Sequence, residues 1–149
     1  MSFEWVEDSL SSQLLTGMGQ YAKDIAWKNL PFEPGDRSLW LKSSIVPALE
    51  SVATLGKHGE NEYLGFLQIG IYQRMNEGTA QSKEVRNLIN RLFPVPGRLQ
   101  APEGCMLRVE RKTFSSGGQT SMADLSAGGT EVVWDANYIT IYWLAREPR

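Results

Sequence analysis

The chain has one cysteine and one histidine in 149 residues. A single thiol, Cys105, excludes an internal disulfide framework and fits a reducing compartment. With His58 the only imidazole, too few ligands are left for a closed zinc site. No apolar run approaches the roughly 20 residues that cross a bilayer as a helix. The opening residues, Met1-Ser2-Phe3-Glu4-Trp5, carry neither a basic flank nor an apolar stretch, which predicts no signal peptide and folding in a cytoplasm. Net charge is −2, so no basic excess points to nucleic acid and no acidic excess to a solvating tail. What remains is 42% hydrophobic and 21% charged, an ordinary globular composition, and the length suits a single domain over residues 1–149.

The most informative stretch runs from Tyr63 to Pro94. Leu67, Ile69 and Ile71 alternate with polar or small residues, which predicts a strand with one side on a core. After the loop Met75–Gly78, with Thr79 as N-cap, residues Val85, Leu88, Ile89 and Leu92 recur at i, i+3, i+4 and i+7. That spacing predicts a helix with one apolar stripe, stopped by Pro94, which has no amide hydrogen and disfavours helical geometry at Phe93.

Elsewhere, Val6, Leu10, Leu14 and Met18 predict an amphipathic first helix, with Ser2 as a cap and Gly17 loosening its end. Asp24 to Asp36 carries two prolines and a Pro-Gly pair. It reads as an extended segment and a turn, pinned by Trp27 and Phe32. Leu39 to Val46 alternates as a strand ending near Pro47, and Ala53 to Glu62 reads as an exposed loop. Cys105, Leu107 and Val109 predict a half-buried strand. Ala136 to Arg146, with Ile139, Ile141 and Trp143 alternating with Tyr138, Thr140 and Tyr142, predicts a strand interior to the sheet or covered on both faces. Ser115 to Thr130 holds four glycines and four serines but one charge, Asp124. No core pattern exists there, so a flexible loop over 115–130 is expected, anchored on partners by Met122 and Leu125.

The resulting expectation is an α+β fold: a mainly antiparallel four-stranded sheet with two helices packed on one face. The other face, carrying Tyr72, Tyr138 and Tyr142, would be semi-apolar, as interfaces often are.

No catalytic constellation emerges. His58 lies in a loop, Cys105 sits among apolar neighbours where thiols are usually inert, and the glycine pairs lack a phosphate-cradle context. The expectation is no enzyme, no cofactor, no metal site, and no sequence-specific nucleic-acid binding.

The motifs in order do carry a resemblance. Ala26-Trp27-Lys28-Asn29-Leu30-Pro31-Phe32-Glu33-Pro34 with the Leu39-Trp40-Leu41 strand, then Gly65-Phe66-Leu67-Gln68-Ile69-Gly70-Ile71, then Gly78 and Leu92-Phe93-Pro94, resemble the pattern of bacteriophage tail terminator proteins. The resemblance spans roughly Leu14 to Pro94 and continues weakly through Tyr138–Trp143. The main departure is the Ser115–Thr130 loop, longer and richer in glycine than the resemblance leads one to expect. What the resemblance implies is a virion structural protein of long-tailed phages. Such proteins form a hexameric ring on the head-proximal end of the tail tube, stop tube polymerisation and offer a surface to the neck, with DNA passing through. The implied partners are copies of itself, the tube protein and a head-tail connector, and the implied location is the virion tail after assembly in the host cytoplasm. Alternatives on the same residues are a neck or head-completion protein, or a small α+β ligand-binding or enzymatic domain.

Overall fold

Alternating apolar residues in four long stretches make the sheet, and two amphipathic helices close one of its faces. The structure, a computed structural model, describes residues 4–27, 30–35, 37–56, 58–75, 78–124 and 130–148, with backbone alone for 120–124, 130 and 131. Its elements are α1 (Glu4–Gly17), a 3-10 helix (Gly19–Asp24), β1 (Ile25–Ala26), β2 (Leu39–Val52), β3 (Glu60–Arg74), α2 (Ala80–Leu92), β4 (Gly97–Leu99), β5 (Met106–Asp124) and β6 (Thr130–Pro148). They form one six-stranded sheet in the order β1-β2-β3-β6-β5-β4. All pairs are antiparallel except β1 with β2.

The four-stranded expectation is therefore corrected to a mixed six-stranded sheet in an α+β fold. β1 and β4 have two and three residues, too short to show a period. The strand ending near Pro47 instead continues to Val52 through a bulge between Pro47 and Leu49. Proline is tolerated there because β1 covers only Leu41 and Lys42, leaving the border of β2 unpaired beyond them among the described residues.

The expected loop at 115–130 is also corrected. Residues 115–124 complete β5 and Thr130 opens β6, in register from Ser115↔Tyr138 to Asp124↔Thr130. Gly118, at φ +68°, absorbs a second bulge between Ser116 and Gly118. Both sides of this hairpin meet solvent at Ser115–Gln119, so nothing selects alternating apolar residues. Backbone pairing with β6 holds the strand instead. The side chain of Met122 and the whole of Leu125 lie outside the described residues.

The core between sheet and helices contains Val6, Leu10 and Leu14 from α1 and Val85 and Ile89 from α2. Leu41, Leu67, Ile69, Ile71, Leu107, Val109, Ile139, Ile141 and Trp143 face them from the sheet. Burying each of these large side chains is worth about 1.5–3 kcal/mol over leaving it exposed. α2 ends at Leu92, as Pro94 requires. Thr79 occupies the cap position without a side-chain hydrogen bond to the helix. Gly17 packs closely, since a Cβ there would stand 2.1 Å from Cδ2 of Leu92 and that side chain would have to turn aside. Its small size lets the ends of the two helices touch, and the Gln13 amide donates to the Leu92 carbonyl at 2.7 Å, satisfying a helix-terminal acceptor.

Glu147 near the end of β6 is 0% exposed. Its carboxylate accepts from the Trp5 indole at 2.8 Å and from the Tyr63 hydroxyl, joining α1, β3 and β6. Burial, and then the Glu147 carboxylate, hold the Tyr63 phenol well above its ordinary value; burial, and then Tyr138, do the same for Tyr72. A phenol that keeps its proton more tightly in the folded state contributes stability fully below its unfolded pKa of about 10. That contribution is lost as pH rises from there towards the folded value. The urea midpoint should therefore be flat between pH 8 and 9.5 and fall above about pH 10. The fall should be shallower in Tyr63→Phe; an equal slope in that variant would contradict the assignment.

Candidate interaction surface

The face of the sheet away from the helices divides into a covered and an open part. At the end where β2 begins, the segment 30–35 folds back over the sheet. Phe32 meets Trp40 at 5.3 Å, and Trp40 stacks on Tyr72 at 4.3 Å and 12°. Trp134 presents its edge to Trp40 at 6.1 Å. Two arginines tie the segment down. Arg37 pairs with Asp24 at 2.9 Å and lies 5.1 Å from the Phe32 centroid. Arg74 donates to the Gly35 and Arg37 carbonyls and lies 5.0 Å over the Trp134 ring. Trp27 goes the other way, against the helix-side core. The two aromatic anchors expected from the sequence thus grip opposite faces.

Towards the other end the face is open. Phe66 and Tyr142 lie 6.0 Å apart, and the Arg111 guanidinium covers Tyr142 at 4.1 Å. Val46 and Leu49 are exposed beside them, and Leu55 at the β2–β3 turn is 91% exposed. Ion pairs Arg108–Glu110 and Arg146–Glu62 stand nearby at 2.6 and 2.9 Å. The β2–β3 hairpin projects from this end. The β5–β6 hairpin projects from the opposite one, since β6 extends beyond Trp134, which pairs with Arg74 at the end of β3, to Thr130.

Of the sequence-predicted interface residues, Tyr138 and Tyr142 are half-buried on this face. Tyr72 is 9% exposed, packed under Trp40 with its edge towards Tyr138. Its burial was not visible in the sequence because it comes from cross-strand stacking of Trp40, against which Phe32 packs from a segment without periodicity.

The described residues offer little built chemistry. Burial, and secondarily Glu147, push the Cys105 thiol up, away from the thiolate that reacts. No cluster of three potential metal ligands occurs among the described residues. No helix among them is long and apolar enough to cross a membrane. Shallow clefts lie between α1 and Gln100–Pro102, about 440 Å³, and over Ile71, Lys83, Arg86 and Asp135, about 160 Å³. A third, about 290 Å³, runs between α1 and the border of β2 and is lined by Glu7, Ser11, Trp27, Leu30, Ser43 and Ile45.

An open sheet face, two borders left partly unpaired among the described residues and hairpins reaching in opposite directions define a class: an α+β domain with several surfaces open to contact. The comparisons with known proteins are more specific. The chain belongs to the phage tail terminator protein family, whose profile matches residues 6–127. It is a structural protein of the phage virion tail. No curated protein matches. A solved structure shares the fold at a TM-score of 0.61 and 20% identity, covering 100% of this chain and 96% of its own.

Proposed function

We propose that six copies of this chain form a ring on the head-proximal end of the tail tube, stop tube polymerisation and offer the head or neck its attachment surface. Family membership over residues 6–127 carries the reading. The shape supports it. A ring subunit needs two lateral surfaces for its neighbours and two axial surfaces for tube and neck. The sheet has two borders and two oppositely directed hairpins to meet those needs. Tyr138 and Tyr142, supported from below by Tyr72, together with Met122 and Leu125, are the proposed contact residues. DNA passes through the channel without sequence-specific contact, and no catalytic step is involved. Assembly takes place in the host cytoplasm.

Electron microscopy of assembled tails tests this. Tails made with the protein should end in a six-fold cap at uniform length, and tails made without it should be longer and heterogeneous. A cap of another order, or unchanged tails without the protein, would refute the proposal.

A further inference from the structure

We infer that Phe114 of one subunit seats in the groove between α1 and the β2 border of the next, an inference that rests on the ring reading. Phe114 is 52% exposed although it lies on the helix side of the sheet, where the other large residues are buried. It sits on β5 just past the residues that β4 covers, Leu107–Val109, so its strand border is unpaired among the described residues. The groove lies at the opposite border, where β2 is likewise uncovered beyond Lys42. Its lining includes Leu30, which is 62% exposed, and the half-buried Trp27 and Ile45.

The register places knob and groove at one height. Phe114 pairs with Ile139, Ile139 with Ile69, and Ile69 with Ser43. One row further along, Lys112 pairs with Ile141, Ile141 with Leu67, and Leu67 with Ile45. Ser43 and Ile45 both line the groove. Two copies set side by side, upright and without axial offset, therefore bring Phe114 opposite Ser43 and Lys112 opposite Ile45. Such a contact joins two different patches and repeats with each copy, as cyclic closure requires. Charge agrees with it. Lys112 is on the same face two residues from Phe114, its ammonium donating to the backbone and side-chain oxygens of Asn90, and the exposed Glu7 lies on the groove. An aromatic knob in an apolar socket, flanked by opposite charges, has the anatomy of an interface hot spot.

The test uses assembled tails with Phe114→Cys and Leu30→Cys in one chain, in a Cys105→Ser background, treated with a short thiol–thiol crosslinker. The expected result is a ladder of covalent oligomers up to ring size from the double variant and none from either single one. Both positions are exposed, so folding is not at stake. As a second measurement, Phe114→Asp should weaken ring association roughly tenfold or more, while Val133→Asp, exposed elsewhere on the hairpin, should not. A ring seen by microscopy without the double-variant ladder would overturn this contact and leave the ring standing. So would crosslinking of Phe114→Cys to itself, or an unaffected Phe114→Asp. Absence of a ring from unaltered tails would overturn both.

Discussion

Gly65→Val should abolish the folded state or reduce its stability by more than about 3 kcal/mol, above the usual range for overpacking. Gly65 sits in β3, flanked by β2 and β6. A Cβ there would lie 2.4 Å from the Val46 carbonyl oxygen and 2.5 Å from the Trp143 ring. The ring could in principle turn, but Trp143 is 1% exposed and hemmed in by the core. The carbonyl belongs to a paired strand and cannot move without breaking the ladder. Gly65→Ala meets the same two contacts, and its gain of about 0.4–1 kcal/mol from a stiffer unfolded chain would not offset them. Urea unfolding of Gly65→Ala, alone and with Trp143→Leu, separates the contributions. The second change should recover only part of the loss, because it removes the ring and leaves the carbonyl. Full stability in Gly65→Ala would show that β2 is free to shift.

Glu147→Ala is expected to cost about 2–4 kcal/mol, because it takes the shared acceptor from the half-buried Trp5 indole and the buried Tyr63 hydroxyl. Two effects oppose each other here. Deleting the carboxylate relieves the burial of a charge, while it strands two donors. The donors should win, since each orphan costs about 1–3 kcal/mol and the carboxylate's own desolvation is offset by the bonds it receives. Glu147→Gln should cost less, about 1–2 kcal/mol, because the amide oxygen keeps one donor satisfied while the amide NH2 replaces the oxygen facing the other. If Trp5→Phe and Tyr63→Phe accompany Glu147→Leu, stability should return close to the starting value, since partners removed together leave no unpaired group. Denaturation midpoints of the three proteins decide it; a triple variant as unstable as Glu147→Ala would show that packing, not hydrogen bonding, is at issue.

How much of this could be read from the sequence varied with the physics of each element. The helices and the β3 and β6 centres were legible, because one-sided burial imposes a period that Val85–Leu92 and Leu67–Ile71 display. Ser115–Asp124 was not, because a hairpin solvated on both sides imposes no period and glycine hides its strand character. Pro47 was misleading as a stop, since an uncovered sheet border accepts proline. β1 and β4 were too short to leave a trace. At the candidate surface, the aromatic face was visible from Tyr138 and Tyr142, yet the covering of Tyr72 depended on the Trp40 ring across the strand, which Phe32 meets where its segment folds back. The Glu147 site was invisible for a similar reason: its donor Trp5 stands near the other end of the sequence. The groove beside Ile45 also has no local signature, as its lining comes from three separate segments.

The strand order also governs how the chain reaches this state. β2 with β3, and β5 with β6, are hairpins between neighbours in sequence, while β3 meets β6 only across the whole of α2, β4 and β5. Closing the short loops is entropically cheap, and joining the two hairpins along that seam closes the longest loop in the sheet. The seam therefore sets the pace of folding, as non-local pairing does generally. During synthesis the first hairpin must wait, with one side of β3 unpaired, until the second has been made. β3 carries Leu67, Ile69 and Ile71, so the half-made chain exposes a sticky β-edge. For this protein, the period of greatest aggregation risk falls on the ribosome, before β6 arrives.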